Sequence, residues 1–455
     1  MIKHKESLIA GWGNYPAEVC NVYRPDRVRD ITELIASGAQ PHYISRGLGR
    51  SYGDTALNHG SGVLLHTEFA RFVHFDEQTG ILECEAGVSF EEIIEHFLPR
   101  GWFLPVTPGT KFVTVGGAIA NDVHGKNHHV DGTFSQHVLD FKLLLASGEI
   151  VHCSREEQSD LFYATIGGVG LTGVILTARF RLIPVESAYL EVDYLKAKNL
   201  DHAFELFAQT NEKYQYSVAW IDCLSKGDNL GRSVLMLGNH APASKVKTGG
   251  DPLRIKNKPK FNVPFNFPSF VLNRWSIRAF NFAYYNIHQN EKSKIVDYDS
   301  FFYPLDSVHN WNRAYGKKGF VQYQAVFPPE TSRQGLTEML KRLSQSGRSS
   351  FLAVLKSSGE QNGGLLSFPF KGYTLALDIP LHDDGLFPFL RELDELVAAH
   401  GGRIYLAKDS EASPATFANM YPDLAKFQAV KAAVDPNNVF SSSQARRLGI
   451  VEESR

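Results

Sequence analysis

The sequence predicts an α+β protein of more than one domain, and three observations carry that prediction. The chain has 455 residues, more than one ordinary hydrophobic core organises, so two or three domains are expected. Leu176, Ala178, Phe180 and Leu182 alternate with Thr177, Arg179 and Arg181, the period of a half-buried antiparallel strand, until Pro184 breaks the pattern. Beyond it, aromatic strand segments (VQYQAVFP, YTLALDIP) alternate with helical stretches at 331–346 and 386–400. That mixture describes an antiparallel sheet with helices packed on one side. The expected division is 1–188, 189–404 and 405–455.

The elements follow in order. Asp26 is placed to cap a helix whose apolar positions are Val28, Ile31, Leu34 and Ile35, with Gly38 ending it. His42 to Ser45 reads as a short strand leading into RGLGRSYGD, and residues 63–67 and 81–85 read as further strands. Ser89 and Glu92 form the capping-box pattern of a helix through Leu98. Residues 138–152 read as a strand pair turning at Ser147-Gly148, and short helices near 413–420 and 423–433 precede a Pro-punctuated tail.

Composition narrows the function. Hydrophobic residues make up 43% and charged residues 21%, as in a folded soluble protein. A formal net charge of −2 gives no support for nucleic-acid binding, which usually shows a basic balance. Cysteines 20, 84, 153 and 223 lack metal-finger spacing and read as reduced thiols, with two disulfides as the alternative. No His, Cys or carboxylate spacing argues for a metal, and no GxSxG nucleophile motif occurs. The start of the chain lacks the apolar run of a signal peptide, and no window approaches the roughly 18 apolar residues of a spanning helix. The expected location is cytoplasmic, or peripheral at the cytoplasmic membrane.

One segment fits the peripheral alternative. Residues 252–290 contain no acid, while Arg254, Lys256, Lys258, Lys260, Arg274 and Arg278 are interleaved with Phe261, Phe265, Phe267, Phe270, Trp275, Phe280, Phe282, Tyr284 and Tyr285. Basic charge beside aromatics suits an anionic membrane or a lipid phosphate. A core helix with a basic approach loop is the plain alternative.

Glycine-rich loops carry the chemistry. PGTKFVTVGGAIANDVHGKNHH sets Gly109, Gly116, Gly117 and Gly125 among hydroxyls and ends in His124, Lys126, His128 and His129. Glycine lets backbone approach a phosphate, and successive N–H groups make a concave anion site. The alternative is a loop between strands with surface histidines. Gly168 to Gly173 matches GxGxxG, but it follows a helix and leads into a strand, the reverse of a nicotinamide-binding turn. Together with RGLGRSYGD, three such loops imply a long ligand gripped from several sides. FAD is such a ligand.

ISRGLGRSYGD, PGTKFVTVGGAIANDVHGKNHHVDG, LFYATIGGVGLTGVI, FVQYQAVFP, IYLAKDS and DPNNVFSSSQARRL together resemble the flavoenzymes of the vanillyl-alcohol oxidase type. The likeness runs through nearly the whole chain in order and is weakest over 190–300. It implies a bilobal fold, with the N- and C-terminal parts forming an FAD domain around an inserted antiparallel-sheet substrate domain. By the same resemblance the flavin contacts are Arg46, Gly47, Leu48, Gly49, Arg50, Ser51, Tyr52 and Gly53 in the first loop. Gly109, Thr110, Val115, Gly116, Gly117, Ala118 and His124 follow, then Gly170, Gly173, Val174 and Tyr405. Many relatives carry a flavin-linking histidine near Arg50, so non-covalent FAD is expected here.

On the substrate side the matching positions are Tyr52, His124, Lys126, Gln322, Gln324, Lys356 and Lys408, with Tyr303 as a further pocket position. Thr374 and Ala376 stand where the family commonly has asparagine and cysteine. Lys408 is the expected group to activate or polarise a hydroxyl, since burial beside a flavin depresses a lysine. His124 would tune the flavin or orient the substrate, and Tyr52 completes the catalytic set. Lys126 and Lys356 would bind a phosphate. Gln322 and Gln324 share a strand face suited to sugar hydroxyls. His128 and His129 are expected to be structural.

The implied activity is FAD-dependent oxidation of a sugar secondary alcohol, foremost the 2-hydroxyl of a polyprenylphosphoryl-β-D-ribofuranose. The keto sugar would be the first half of an epimerisation to the arabinose form, a cell-envelope polysaccharide precursor, completed by a separate short-chain reductase. A soluble alditol or aldonolactone oxidase acting on a free sugar, and a non-catalytic carbohydrate-binding scaffold, are the other readings of the same fold.

Overall fold

The computed structural model describes residues 3–247, 250–256, 258, 260–268, 274–348, 350 and 352–451. Three sheets organise them. The first has four strands in the order Lys5–Ala10, Ala17–Tyr23, Gly62–Leu65, Tyr43–Arg46, with parallel pairing on both sides of Gly62–Leu65. The second is antiparallel with five strands, Phe72–Asp76, Ile81–Glu85, Val174–Arg181, Val138–Leu144 and Ile150–Ser154. Within Val174–Arg181, Ala178 and Phe180 are buried while Arg179 and Arg181 are exposed, as the alternation predicts.

The third sheet is antiparallel with eight strands. Its order is Glu291–Asp297, Tyr189–Ala197, Ser233–His240, Tyr216–Ile221, Ala353–Ser358, Gly372–Pro380, Phe320–Phe327 and Arg403–Ile404. Helices Leu200–Thr210, Pro329–Ser346 and Leu386–Ala399 pack on one face. Leu336, Met339, Leu340, Leu343, Leu390, Leu393 and Val397 supply the apolar stripes. The opposite face is left to line a cavity.

Register decides what that face presents. Gln324 lies opposite Ala376, Ala376 opposite Val354, and Val354 opposite Trp220. Gln322 lies opposite Asp378, and Lys356 opposite Thr374. Because side chains alternate with period two, these residues share the cavity face. The C-terminal part returns to the first sheet. Phe440 bridges Tyr43, and Arg447 pairs with Asp54 at 2.7 Å and Asp409 at 2.8 Å.

Several local expectations hold. The Ser89–Glu92 capping box opens Phe90–Phe97, and Gly148 has φ +86 in the turn before Ile150–Ser154. The GxGxxG stretch lies between helix Ser159–Thr165 and strand Val174–Arg181. One expectation fails. Asp26 does not cap the first helix, because extended Arg27 takes the cap position of Val28–Ala36 without a side-chain bond, and Asp30 supplies the acid in the first turn. The strand expected at 63–67 is Gly62–Leu65, followed by a single 3₁₀ turn.

All four cysteines are free and buried. Among the described residues no helix is long and apolar enough to cross a membrane, and no His/Cys/Asp/Glu cluster could hold a metal. The basic aromatic segment has a buried side and an exposed one. Helix Arg274–Ile287 buries Ile277 and Asn281, while Trp275, Phe282 and Ile287 remain exposed. Phe270 and the side chain of Arg274 lie outside the described residues.

Candidate active site

A cavity of about 850 Å³ lies between the glycine loops and the free face of the eight-stranded sheet. Its first wall is backbone. Arg46 to Tyr52 lead out of strand Tyr43–Arg46 and face the cavity, with Gly49 at φ +66. The Arg46 guanidinium sits beneath the loop and donates to the carbonyls of Ala10 (2.6 Å) and Ala56 (3.2 Å). Arg46 therefore props the turn. Arg50 donates to the Leu48 carbonyl (2.5 Å) and lies over Trp12 (4.2 Å) and Phe112 (5.4 Å).

The second loop presses against the first. A Cβ on Gly47 would come within 2.3 Å of Thr114 Oγ1, so a side chain there would part the two. Thr114 caps helix Val115–Ala120, accepting from the Gly117 N–H. Gly109, Thr110, Gly116 and Gly117 line the cavity, and Gly170 and Gly173 close it from a third side. A Cβ on Gly109 would meet nothing within 4 Å and would project into open space.

These residues fit FAD. The slot is long, walled by small side chains on three loops, and Asn121 Oδ1 and His124 Nδ1 are buried there without a hydrogen-bond partner among the described residues. Gly53, Val115, Ala118 and Val174, expected to touch the flavin, are not on the wall. Gly53 packs on the Asp409 carbonyl, where a Cβ would come to 1.8 Å. Val115, Ala118 and Val174 face the hydrophobic core behind the loops.

The second wall is made of side chains. The Gln324 amide donates to His124 Nε2 (2.9 Å) and contacts Thr374 Oγ1 (3.2 Å). A ring nitrogen that accepts belongs to a neutral imidazole. Burial, then the charges of Lys356, His128 and Lys408, hold His124 well below the usual histidine range. Tyr405 packs on His124 with centroids 5.3 Å apart and donates its hydroxyl to the Asn121 carbonyl (2.7 Å). Gln322 donates to Asp378 Oδ1 (2.5 Å), and burial pushes that carboxyl up to about 7.

Three lysines converge on this polar centre. Lys408 Nζ lies 4.0 Å from the Tyr52 ring centroid. Burial lowers Lys408 to about 7, with Asp378 opposing and Lys356 reinforcing the shift. Lys126 is lowered to about 7 by burial and then by Lys356. Its Nζ donates to the Phe301 carbonyl and lies 4.4 Å from that ring centroid. Lys356 is lowered to about 8 by burial. No carboxylate offsets the shifts of Lys126 and Lys356, and an anion placed between these two would restore their protons.

Tyr303 and Thr374 stand one layer behind. The Tyr303 hydroxyl bonds Thr107 Oγ1 (2.6 Å), and Thr374 Oγ1 donates to the Ala325 carbonyl (2.9 Å) while meeting the Gln324 amide. His128 and His129 are structural. His128 Nδ1 accepts from the Gly359 N–H (2.9 Å), and His129 Nε2 donates to the Tyr214 carbonyl (3.0 Å). Sequence reasoning missed Trp12, Phe112 and Trp311 at one end of the cavity and Trp220 at the other, where Tyr284 of the basic aromatic segment also lines it. For Trp220 the missing signal was strand register, which sets it two strands from Ala376 on the same face.

A glycine-walled slot beside a buried amine and paired amides is the architecture of a flavin-dependent oxidoreductase. Comparison with known proteins agrees. The family model "FAD binding domain" matches residues 19–154, and "D-arabinono-1,4-lactone oxidase" matches residues 380–448. The chain is 38% identical over 451 residues to decaprenylphosphoryl-beta-D-ribose oxidase of Mycolicibacterium smegmatis, covering 97% of both chains. It is 19% identical to L-gulono-1,4-lactone dehydrogenase of Mycobacterium tuberculosis over 96% of this chain and 98% of that one. The Delta(24)-sterol reductase of Mus musculus matches over 140 residues at 30% identity, 31% of this chain and 27% of that one. The chain belongs to the vanillyl-alcohol oxidase-type FAD-dependent oxidoreductases.

Proposed function

We propose that this enzyme oxidises the 2-hydroxyl of a polyprenylphosphoryl-β-D-ribofuranose to the 2-keto sugar. One observation carries the reading: Lys408, Lys126 and Lys356 line the cavity together with the Gln322 and Gln324 amides, between the glycine loops and an apolar stretch of the sheet face. The likeness to the mycobacterial ribose oxidase over 97% of both chains supports the same substrate class.

FAD, held without a covalent link by the three loops, supplies the acceptor for the carbinol hydride, chemistry that side chains lack. The chain's own residues do the rest. Lys408, as the neutral amine that burial favours, takes the hydroxyl proton at Nζ, and the Tyr52 ring fixes where that nitrogen sits. Gln322 is anchored by Asp378 and Gln324 by His124, so the amides meet sugar hydroxyls in set orientations. Neutral His124 keeps a second positive charge from forming beside Gln324. Lys126 and Lys356 pair with the phosphate as point charges.

On this reading residues 1–188 and 405–455 form the flavin lobe and 189–404 the substrate lobe. A short-chain reductase would consume the keto sugar, and the exposed aromatics of helix Arg274–Ile287 would rest on the membrane surface. The match of residues 380–448 to lactone oxidases favours a second reading, oxidation of a free alditol or aldonolactone. Anaerobic flavin bleaching separates the two. Prenylphosphoryl ribose should bleach the bound flavin, and free pentoses, alditols and aldonolactones should not. Bleaching by the free sugars alone would replace the first reading with the second.

A further inference from the structure

The cavity does not end at the lysines. It continues along the same sheet face, beneath helix Arg274–Ile287, and its floor follows the register. Val354 lies opposite Trp220, Val218 opposite Met236, and Met236 opposite Tyr194. All five line the cavity. From Ala376 to Tyr194 the floor crosses four inter-strand steps, about 19 Å at the usual strand spacing.

The roof is Phe280, Tyr284 and His288. The helix is tied over the floor by Asn281 Nδ2 donating to Asp222 Oδ1 (2.7 Å) and by the Tyr284 ring, 4.6 Å from Trp220. Trp275 (75% exposed) and Phe282 (62%) share its outer side, and Ile287 (76%) is exposed at its last residue. Exposed apolar side chains grouped this way mark a contact surface. Of the residues lining this stretch, the lysines Lys126 and Lys356 stand at its inner end, while at the outer end Lys294 Nζ lies 5.6 Å from the Tyr194 ring centroid. At the other end of the cavity Trp12, Phe112 and Trp311 surround Arg50 and Asp306.

We propose that this apolar lane is a binding site for the isoprenoid chain of a lipid phosphate. The phosphate sits at Lys126 and Lys356, and the chain runs over Val354, Trp220 and Met236 and leaves past the outer face of helix Arg274–Ile287. The inference rests on the substrate reading above and adds a route for its tail. Anionic head and apolar chain match the lane's two ends in order, whereas the Arg50 end offers a hydrocarbon a charged wall. The arrangement lets the head reach Lys408 while the tail stays out of water.

Calorimetric binding of polyprenyl monophosphates without sugar to the flavin-loaded enzyme tests the lane. A long-chain phosphate should bind at least about tenfold tighter than geranyl phosphate, from the extra apolar area buried. Val218→Phe, which fills the floor, and Phe280→Asp, which charges the roof, should each remove that preference. Phe280 is partly exposed, so its variant keeps the test alive if Val218→Phe loses its flavin band. A wild type without chain-length preference, or a preference surviving in a flavin-loaded variant, overturns the proposal. So does a preference abolished by Trp311→Asp alone, which would send the chain out of the other end. Turnover of prenylphosphoryl ribose by the wild type is measured separately. Tight long-chain binding without oxidation would sink the substrate reading and keep the lane, while oxidation indifferent to chain length would do the reverse.

Discussion

The two walls of the cavity are built by opposite means. Arg46 to Tyr52, Gly109 to Gly117 and Gly170 to Gly173 meet the flavin slot mostly with backbone and small side chains. The facing wall is side chains, His124, Trp220, Gln324, Lys356, Ala376 and Lys408, drawn from segments that are neighbours only through sheet register and loop packing. Backbone recognition tolerates few substitutions at many positions. Side-chain recognition concentrates the chemistry on a few residues that can be exchanged one at a time.

The difference is open to direct tests. Lys408→Ala should leave the flavin bound and lower the rate of its anaerobic reduction by about 10²–10⁴-fold, the range of a lost general base. If that variant loses its flavin band instead, the division between the walls is wrong. On the backbone wall Gly47→Val should part the loop from Thr114 and lower bound flavin per protein by at least about tenfold, since overpacking costs typically 1–3 kcal/mol. Absorbance after gel filtration measures it.

Lys356→Met should raise the KM for the lipid-phosphate substrate by about ten- to a hundredfold with a smaller change in kcat, because it removes a partner of a buried charge pair. A loss falling equally on free sugars would deny Lys356 its phosphate.

The pH profile should split in the same way. Below about 7 Lys408 gains a proton and stops acting as a base, so flavin reduction falls as pH drops through that value and levels off above it. Lys126 and Lys356 lose their protons as pH rises through about 7 and about 8, so KM for the phosphate-bearing substrate climbs there. Free-sugar KM would stay flat across that range. The smallest effect is expected from Thr374→Val, which removes one contact to the Gln324 amide. It should cost about 0.5–1.5 kcal/mol, read as a few-fold loss of kcat/KM.

The same contrast explains what the sequence disclosed. Local rules survive folding, so the Ser89–Glu92 capping box, the turn at Ser147-Gly148 and the helix–turn–strand order around Gly168 to Gly173 were all legible. Asp26 misled because a capping residue one position early looks identical in sequence, and extended Arg27 took its place. The glycine loops announced the slot through their composition, yet Val115 and Ala118 share the buried face of helix Val115–Ala120 and Val174 opens a strand on its buried side, so all three turn into the core. His124 stood out in its glycine-rich segment and took its role from family likeness, while Lys408 was reachable only through that likeness. Trp220, Met236 and Tyr194 were not reachable at all, because a row running across strands has no counterpart along the chain.

Ala376 lines this cavity, and all four sulfhydryls lie elsewhere, buried and pushed up by that burial, Cys153 and Cys223 to about 12. A warhead seeking a soft nucleophile in the pocket would find a methyl group. Thiol-selective reagents should therefore leave turnover intact, and compounds that occupy this pocket must hold on without a bond to sulfur.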